Sequence, residues 1–176
     1  MCGTIILIIL VLIFAPLLSQ ETVTIHENEV GVLFNVLSGE LDDPLQPGIY
    51  QINPSTQEVR VYSTSSQEFR FGAEENLQGR TNDGQIVIIT ASLTYKIDPQ
   101  QVNMIHARWR DTYGPSFIRP TFRGVIREVI SRFSLAETET KLAEIREEIL
   151  ANMEQRLSDE GLILENLTID AITLSE

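Results

Sequence analysis

The feature that most constrains this chain is a change of hydrophobic period near its middle. Ile89, Ala91, Leu93, Tyr95 and Ile97 alternate with Thr90, Ser92, Thr94 and Lys96. A period of two places one face of a strand on a core and the other toward water. Further on, Phe122, Val125, Ile126, Val129, Ile130 and Phe133 fall at i, i+3, i+4, i+7, i+8 and i+11. That spacing predicts an amphipathic helix, and Pro120 suits its first turn.

Smaller signals fill in both sides of this switch. Val30–Leu37 is rich in β-branched and aromatic residues and ends at the Ser38-Gly39 turn. Leu45-Gln-Pro-Gly-Ile-Tyr50 adds a turn and a short strand. Val59 and Val61 alternate with Glu58, Arg60 and Tyr62, and Phe69 and Phe71 alternate with Glu68 and Arg70. Asn82-Asp83-Gly84 reads as a turn. Asp98 reads as an N-cap, with Pro99 in the first turn, for a short helix to about Ala107. Ser134-Leu-Ala-Glu137 reads as a capping box for a third helix whose buried stripe is Leu142, Ile145, Ile149, Met153 and Leu157. Gly161 stands where a left-handed C-cap residue belongs. Leu167, Ile169 and Ala171, against Asn166, Thr168 and Asp170, predict a closing strand. The order is mostly β, then helices, then β. It predicts an α+β fold with a mixed sheet packed by amphipathic helices.

The N-terminus is different in kind. Residues 1–20 carry no charged side chain, and Ile5 to Leu18 is apolar throughout, with Pro16 near its end. About 18–20 helical residues reach roughly the 30 Å of a hydrocarbon core. The tract is expected to be an uncleaved membrane anchor, with Ile5, Ile9, Leu12, Phe14 and Leu17 among its apolar residues. A removed signal peptide and a buried helix are the other readings. No basic n-region precedes the tract, and Leu17-Leu18-Ser19-Gln20 is a poor cleavage site. No Lys or Arg follows until Arg60, so a single pass with the domain on the non-cytoplasmic side is favoured. Cys2 is either an acylation site or an unmodified thiol. Residues 1–20 are thus expected to be an anchor and residues 21–176 one domain.

Composition narrows the function. The 25 acidic and 13 basic residues give a net charge of −12. Nucleic-acid binding needs a basic footprint and is not expected. One cysteine and two histidines, His26 and His106, leave no disulfide framework and little for a metal site. No nucleophile elbow, phosphate-binding glycine loop or His-x-x-x-His spacing is present. Asp42-Asp43 sits beside Pro44 and reads as a solvated turn, and Asn166-Leu-Thr168 is a sequon inside an expected strand. No catalytic, cofactor-binding or metal-binding residue is assigned.

The acidity is unevenly distributed. Residues 1–59 carry −7, residues 60–133 carry +3 and residues 134–176 carry −8. Arg119, Arg123 and Arg127 recur every four residues, which predicts a basic stripe opposite the apolar face of their helix. The third helix is acidic, with Glu144, Glu147 and Glu148 among its carboxylates. Two readings stay open. The faces are solvated and paired within the chain, or the basic face of one protomer meets the acidic face of the next. Head-to-tail complementarity of the second kind produces rings or filaments.

Several segments carry a resemblance in their order and spacing: His26-Glu-Asn-Glu-Val-Gly-Val32, Leu45-Gln-Pro-Gly48 and Thr81-Asn-Asp-Gly84. Asp98-Pro99, Pro120-Thr-Phe-Arg-Gly-Val-Ile-Arg127, Arg132-Phe-Ser and Gly161–Asp170 continue it. From about Val23 to Leu174 the chain resembles the prohibitin/stomatin/flotillin superfamily, the SPFH or Band 7 proteins. Its last segment looks most like prohibitin. The resemblance implies a membrane-anchored scaffold rather than an enzyme. Such a scaffold joins homo- or hetero-oligomeric rings or cages, organises lipid microdomains, and often surrounds or regulates a membrane protease. It implies no catalytic residues and no cofactor. Family members usually continue into a long coiled-coil helix, and this sequence stops at Glu176. The alternative expectation is a module that binds a single membrane protein without forming a ring.

Overall fold

A computed structural model describes residues 20–71 and 77–175. The expected anchor, with Ile5, Ile9, Leu12, Phe14 and Leu17, lies outside these residues. Among the described residues no helix is long and apolar enough to cross a membrane. The chain divides into two units, at Thr64/Ser65.

The first unit is built from two antiparallel strand pairs. Strand β1 (Glu21–Ile25) pairs with β3 (Gly48–Ile52), and β2 (Glu29–Asn35) pairs with β4 (Gln57–Ser63). The link from β1 to β2 turns through Asn28, whose φ of 64° is left-handed and suits asparagine. Glu29 reaches back to the His26 amide at 2.9 Å. Gly31 exchanges backbone hydrogen bonds with Leu45 at 2.9 and 2.8 Å. This joins the His26–Val32 and Leu45–Gly48 segments. Ile25, Val30, Val32, Ile52 and Tyr62 are the buried apolar residues.

Two expectations shift here. The strand expected over Val30–Leu37 stops at Asn35, because the Asn35 side-chain Oδ1 accepts the Leu37 and Ser38 amides and turns the chain. Val36 and Leu37 are therefore exposed. In β4 it is Tyr62 that faces inward, and Val61 lies 42% exposed.

The second unit is one sheet covered by helices. Strands β5 (Gln67–Phe71) and β6 (Gln78–Arg80) lie end to end along one edge of β7 (Ile86–Ile97). Strand β8 (Leu162–Leu174) runs along the other edge. The inner row of β7 is Val87, Ile89, Ala91, Leu93, Tyr95 and Ile97, and all six are buried. Helices α1 (Val102–Arg108), α2 (Arg119–Ile130), α3 (Leu135–Thr140) and α4 (Leu142–Ser158) follow. Phe122, Val125, Ile126, Val129 and Ile130 of α2 are fully buried, as the 3.6 period requires. Each such side chain contributes about 1.5–3 kcal/mol relative to exposure. Between α1 and α2 the chain makes a 3₁₀ turn (Arg110–Thr112) and a π turn (Gly114–Ile118).

Three helical details depart from the sequence pattern. The first helix begins at Val102, one turn later than expected. Asp98 instead organises the turn before it, accepting from the Gln100 amide and the Gln101 side chain at 2.9 Å each. The third helix is two helices. The Thr138 and Thr140 hydroxyls bond back to the Leu135 and Ala136 carbonyls, and Lys141 leaves helical geometry at φ −112°, ψ 28°. Leu142, expected in the buried stripe, follows that break and is 39% exposed, whereas Ile145, Ile149, Met153 and Leu157 are fully buried.

Strand β8 corrects the closing pattern. Glu165 is an extra residue opposite the Thr94/Tyr95 step of β7, and Asp170 is an extra residue opposite the Thr90/Ala91 step. Each bulge flips the alternation. The inward row thus becomes Leu162, Leu164, Leu167, Ile169 and Ile172, and Ala171 turns outward. The Glu165 bulge is held by Lys96 at 2.8 Å and by the Ser66 hydroxyl at 2.5 Å. Leu167 lies opposite Leu93, where the alternation of the ladder points its carbonyl away from β7. Arg146 of α4 donates its Nε–H to that carbonyl at 3.0 Å.

Gly161, at φ 78°, closes α4 as expected, and its carbonyl accepts the Asp98 amide at 3.0 Å. Gly79 is required for a different reason. A Cβ there would lie 2.8 Å from Ile130 Cγ2 and 2.9 Å from Ile130 Cβ. Helix α2 can approach β6 only because this position has no side chain. Gly79→Ala is expected to destabilise the protein by about 1–3 kcal/mol in denaturant titrations, the usual cost of overpacking. Unchanged stability would show that α2 does not sit this close to β6.

Candidate functional site

The structure carries its most distinctive surface along α2. Pro120 lies at the start of the helix, where its missing N–H costs nothing. From there Arg119, Arg123 and Arg127 follow one face. Arg119 and Arg123 are half-buried and Arg127 is exposed. The Arg119 guanidinium lies 5.3 Å from the centre of the Phe69 ring, a cation–π arrangement.

Two shallow grooves meet at Arg127. One, of about 330 Å³, is lined by Pro115, Arg119, Pro120, Arg123, Gly124 and Arg127. The other, of about 390 Å³, is lined by Gln78, Gly79, Arg80, Ile86, Arg127 and Ser131. The sequence pattern located the three arginines of α2. It missed Arg80 and Ile86, because β6 is only three residues long and gives no alternation to read. The one available signal was the Asn82-Asp-Gly84 turn, which implies a strand on either side.

The acidic partners expected on α4 separate into two groups. Glu148 pairs with Arg132 at 3.1 Å. Arg132 also pairs with Glu128 at 2.8 Å, and Glu128 pairs with Arg156 at 3.0 Å. These four residues tie α2 to α4 within the chain. Glu144 and Glu147 are exposed, and Arg127 has no ion-pair partner among the described residues. Glu148 is thus engaged within the chain. The charges of Arg127, Glu144 and Glu147 face outward.

A tight polar corner supports the C-terminal end of α2. The Asn82 amide and side chain bond to the Phe133 and Arg132 carbonyls, at 2.9 and 3.1 Å. The Asp83 carboxylate accepts the Leu135 amide at 3.2 Å, at the first turn of α3. The Ser134–Glu137 capping box forms as expected. The Thr81 hydroxyl, and after it the Leu135 amide, hold Asp83 below the ordinary carboxylate range. The Ser134 amide, Lys141 and the Ser134 hydroxyl lower Glu137 from 4.5 to about 2. The Thr81–Gly84 and Arg132–Ser134 segments are thus two halves of one capping structure.

Among the described residues no group of three His, Cys, Asp or Glu side chains could hold a metal ion. The family model of the SPFH domain / Band 7 family matches residues 23–176, from β1 through β8. The chain belongs to this family. Its members generally oligomerise, associate with membranes and act as non-enzymatic scaffolds. No curated protein matches the chain.

Glu137 also sets an acid response. A carboxylate held at about 2 in the fold and near 4.5 when unfolded stabilises the protein fully above pH 4.5. That contribution is lost as pH falls through about 2. Glu137→Gln is expected to lower the melting temperature at pH 7 and to flatten the loss of stability between pH 4.5 and pH 2. Thermal melts across that range, with Glu139→Gln as an exposed control, measure it. Parallel curves for Glu137→Gln and the parent would remove the capping box as the source.

Proposed function

We propose that this chain is a membrane-anchored scaffold of the prohibitin-like kind, whose domain self-associates or joins related subunits in a ring- or cage-like complex. In that role it organises a membrane microdomain or regulates a membrane protease. The observation that carries the reading is the family match across both units. The apolar N-terminal tract, with Ile5, Ile9, Leu12, Phe14 and Leu17, supplies the single-pass anchor. The domain lies on the non-cytoplasmic side.

In this reading the α2 surface is an assembly face. Arg119, Arg123 and Arg127 of one protomer meet Glu144 and Glu147 of the next. Glu148 helps indirectly, by fixing Arg132 and hence the angle between α2 and α4. Each exposed pair contributes only about 0.2–1 kcal/mol. Repetition at every subunit boundary makes the sum consequential and the register selective.

Two measurements test the reading. Replacing Arg123 and Arg127 together by Glu is expected to shift the detergent-extracted protein to smaller species on native electrophoresis and mass photometry. Adding Glu144→Arg and Glu147→Arg is expected to restore part of the size. An unchanged size distribution would exclude the stripe as an interface, and a parent protein that is monomeric at all concentrations would sink the scaffold reading. Deleting residues 1–19 is expected to release a folded domain from membranes. A deleted form that stays membrane-bound would overturn the anchor assignment.

A further inference from the structure

The larger groove has a geometry that charge pairing between subunits does not use. Strand β6 is an edge strand, and its alternation can be read from its neighbours. The Leu77 carbonyl accepts the Ile89 amide at 2.8 Å, and the Thr81 amide donates to the Gln85 carbonyl at 2.9 Å. Residues 77, 79 and 81 therefore turn their backbone groups toward β7 and the turn that leads into it. The N–H and C=O groups of Gln78 and Arg80 then point to the opposite edge. Among the described residues no strand pairs with that edge.

The other wall of the groove is α2. Helix and strand are held together by the Gly79–Ile130 contact, and Arg127 and Ser131 line the space between them. Ile86, opposite Arg80 in the ladder, is 46% exposed at the rim. A strand edge beside a helix is the arrangement in which extended peptides bind by adding a strand. The backbone edge gives affinity without sequence, and the side chains around it select the sequence.

We propose that the groove between β6 and α2 binds an extended acidic peptide of a partner protein. The peptide pairs with the outward backbone groups of Gln78 and Arg80. Its carboxylates face Arg80 and Arg127, and an apolar side chain covers Ile86. The choice of an acidic peptide follows from charge. Both charged groups lining the groove are arginines. The groove runs on at Arg127 into the one that holds Arg119 and Arg123. A chain of net charge −12 that keeps these side chains together has a local preference for carboxylates against its overall field. The proposal goes beyond the assembly reading, because it needs the β6 edge and Arg80, neither of which the subunit contact uses; Arg127 is common to both, so the peptide competes with the subunit contact at that one residue.

The test uses the full chain in non-ionic detergent. The probe is a fluorescent heptapeptide of alternating glutamate and valine, followed by anisotropy and by hydrogen–deuterium exchange. The expected result is saturable binding with new protection of the amides of Gln78 and Arg80. A peptide of alternating lysine and valine is expected not to bind. The same acidic peptide with every second amide N-methylated loses the pairing and is expected to bind at least about tenfold more weakly. Arg80→Gln and Ile86→Thr are each expected to weaken binding several-fold without changing the melting temperature, while Arg123→Glu leaves the backbone protection at Gln78 and Arg80 in place. Equal binding of the methylated peptide would reduce the site to unspecific charge attraction and overturn the proposal. So would an absence of protection at β6, or no binding by any of the peptides. Retention of the protein by phosphatidylserine vesicles through Arg80, with no peptide bound, would assign the groove to lipid instead.

Discussion

The second unit depends on one packing constraint, the burial of the apolar face of α2 between β6 and α4. Five α2 side chains are fully buried there. The Phe122 ring lies 4.6 Å from the Phe71 ring of β5, so the same helix also reaches the outer strand. Helix α4 then covers what α2 leaves open, through Ile145, Ile149, Met153 and Leu157. Because the apolar face is fixed inward, the arginines on the remaining face have no freedom of placement. Their spacing of four becomes a row along the surface. The basic surface is thus a consequence of the core and needs no separate folding determinant.

The charges divide into those that hold the fold and those that remain outward. Glu128, Arg132, Glu148 and Arg156 form a connected set across α2 and α4. Arg108 and Trp109 both bond to Glu160, at 2.7 and 2.9 Å, and tie the end of α1 to the end of α4. These pairs orient helices whose apolar faces have already chosen a side. The opposite signs left on α2 and α4 set the charge asymmetry that the whole-chain sum conceals.

Much of this was legible in the residues. The period of β7 and the spacing of α2 are strong because burial on one face dictates both. The capping box at Ser134 and the left-handed glycine at 161 are local and were visible for that reason. Strands β1 and β6 gave too little pattern. Glu21–Ile25 has a single buried residue, and β6 has three residues with a glycine at its centre. The bulges at Glu165 and Asp170 were hidden because alternation alone cannot report an inserted residue. The break at Lys141 was hidden because a capping box marks where a helix starts and says nothing of where it stops. The α2 half of the basic surface was readable, and the β6 half was not, since only the fold brings Arg80 beside Arg127.

The hydrogen bond from Arg146 to the Leu167 carbonyl bears on crowding. A strand of 13 residues whose outer edge pairs with no other strand among the described residues is a template on which a neighbouring copy can zip its own strand. Here a guanidinium occupies the outward carbonyl near the centre of that edge, and the two bulges bend the strand on either side. A foreign strand would have to displace the arginine and then follow two changes of register. Crowded copies of the domain would therefore not zip together along β8.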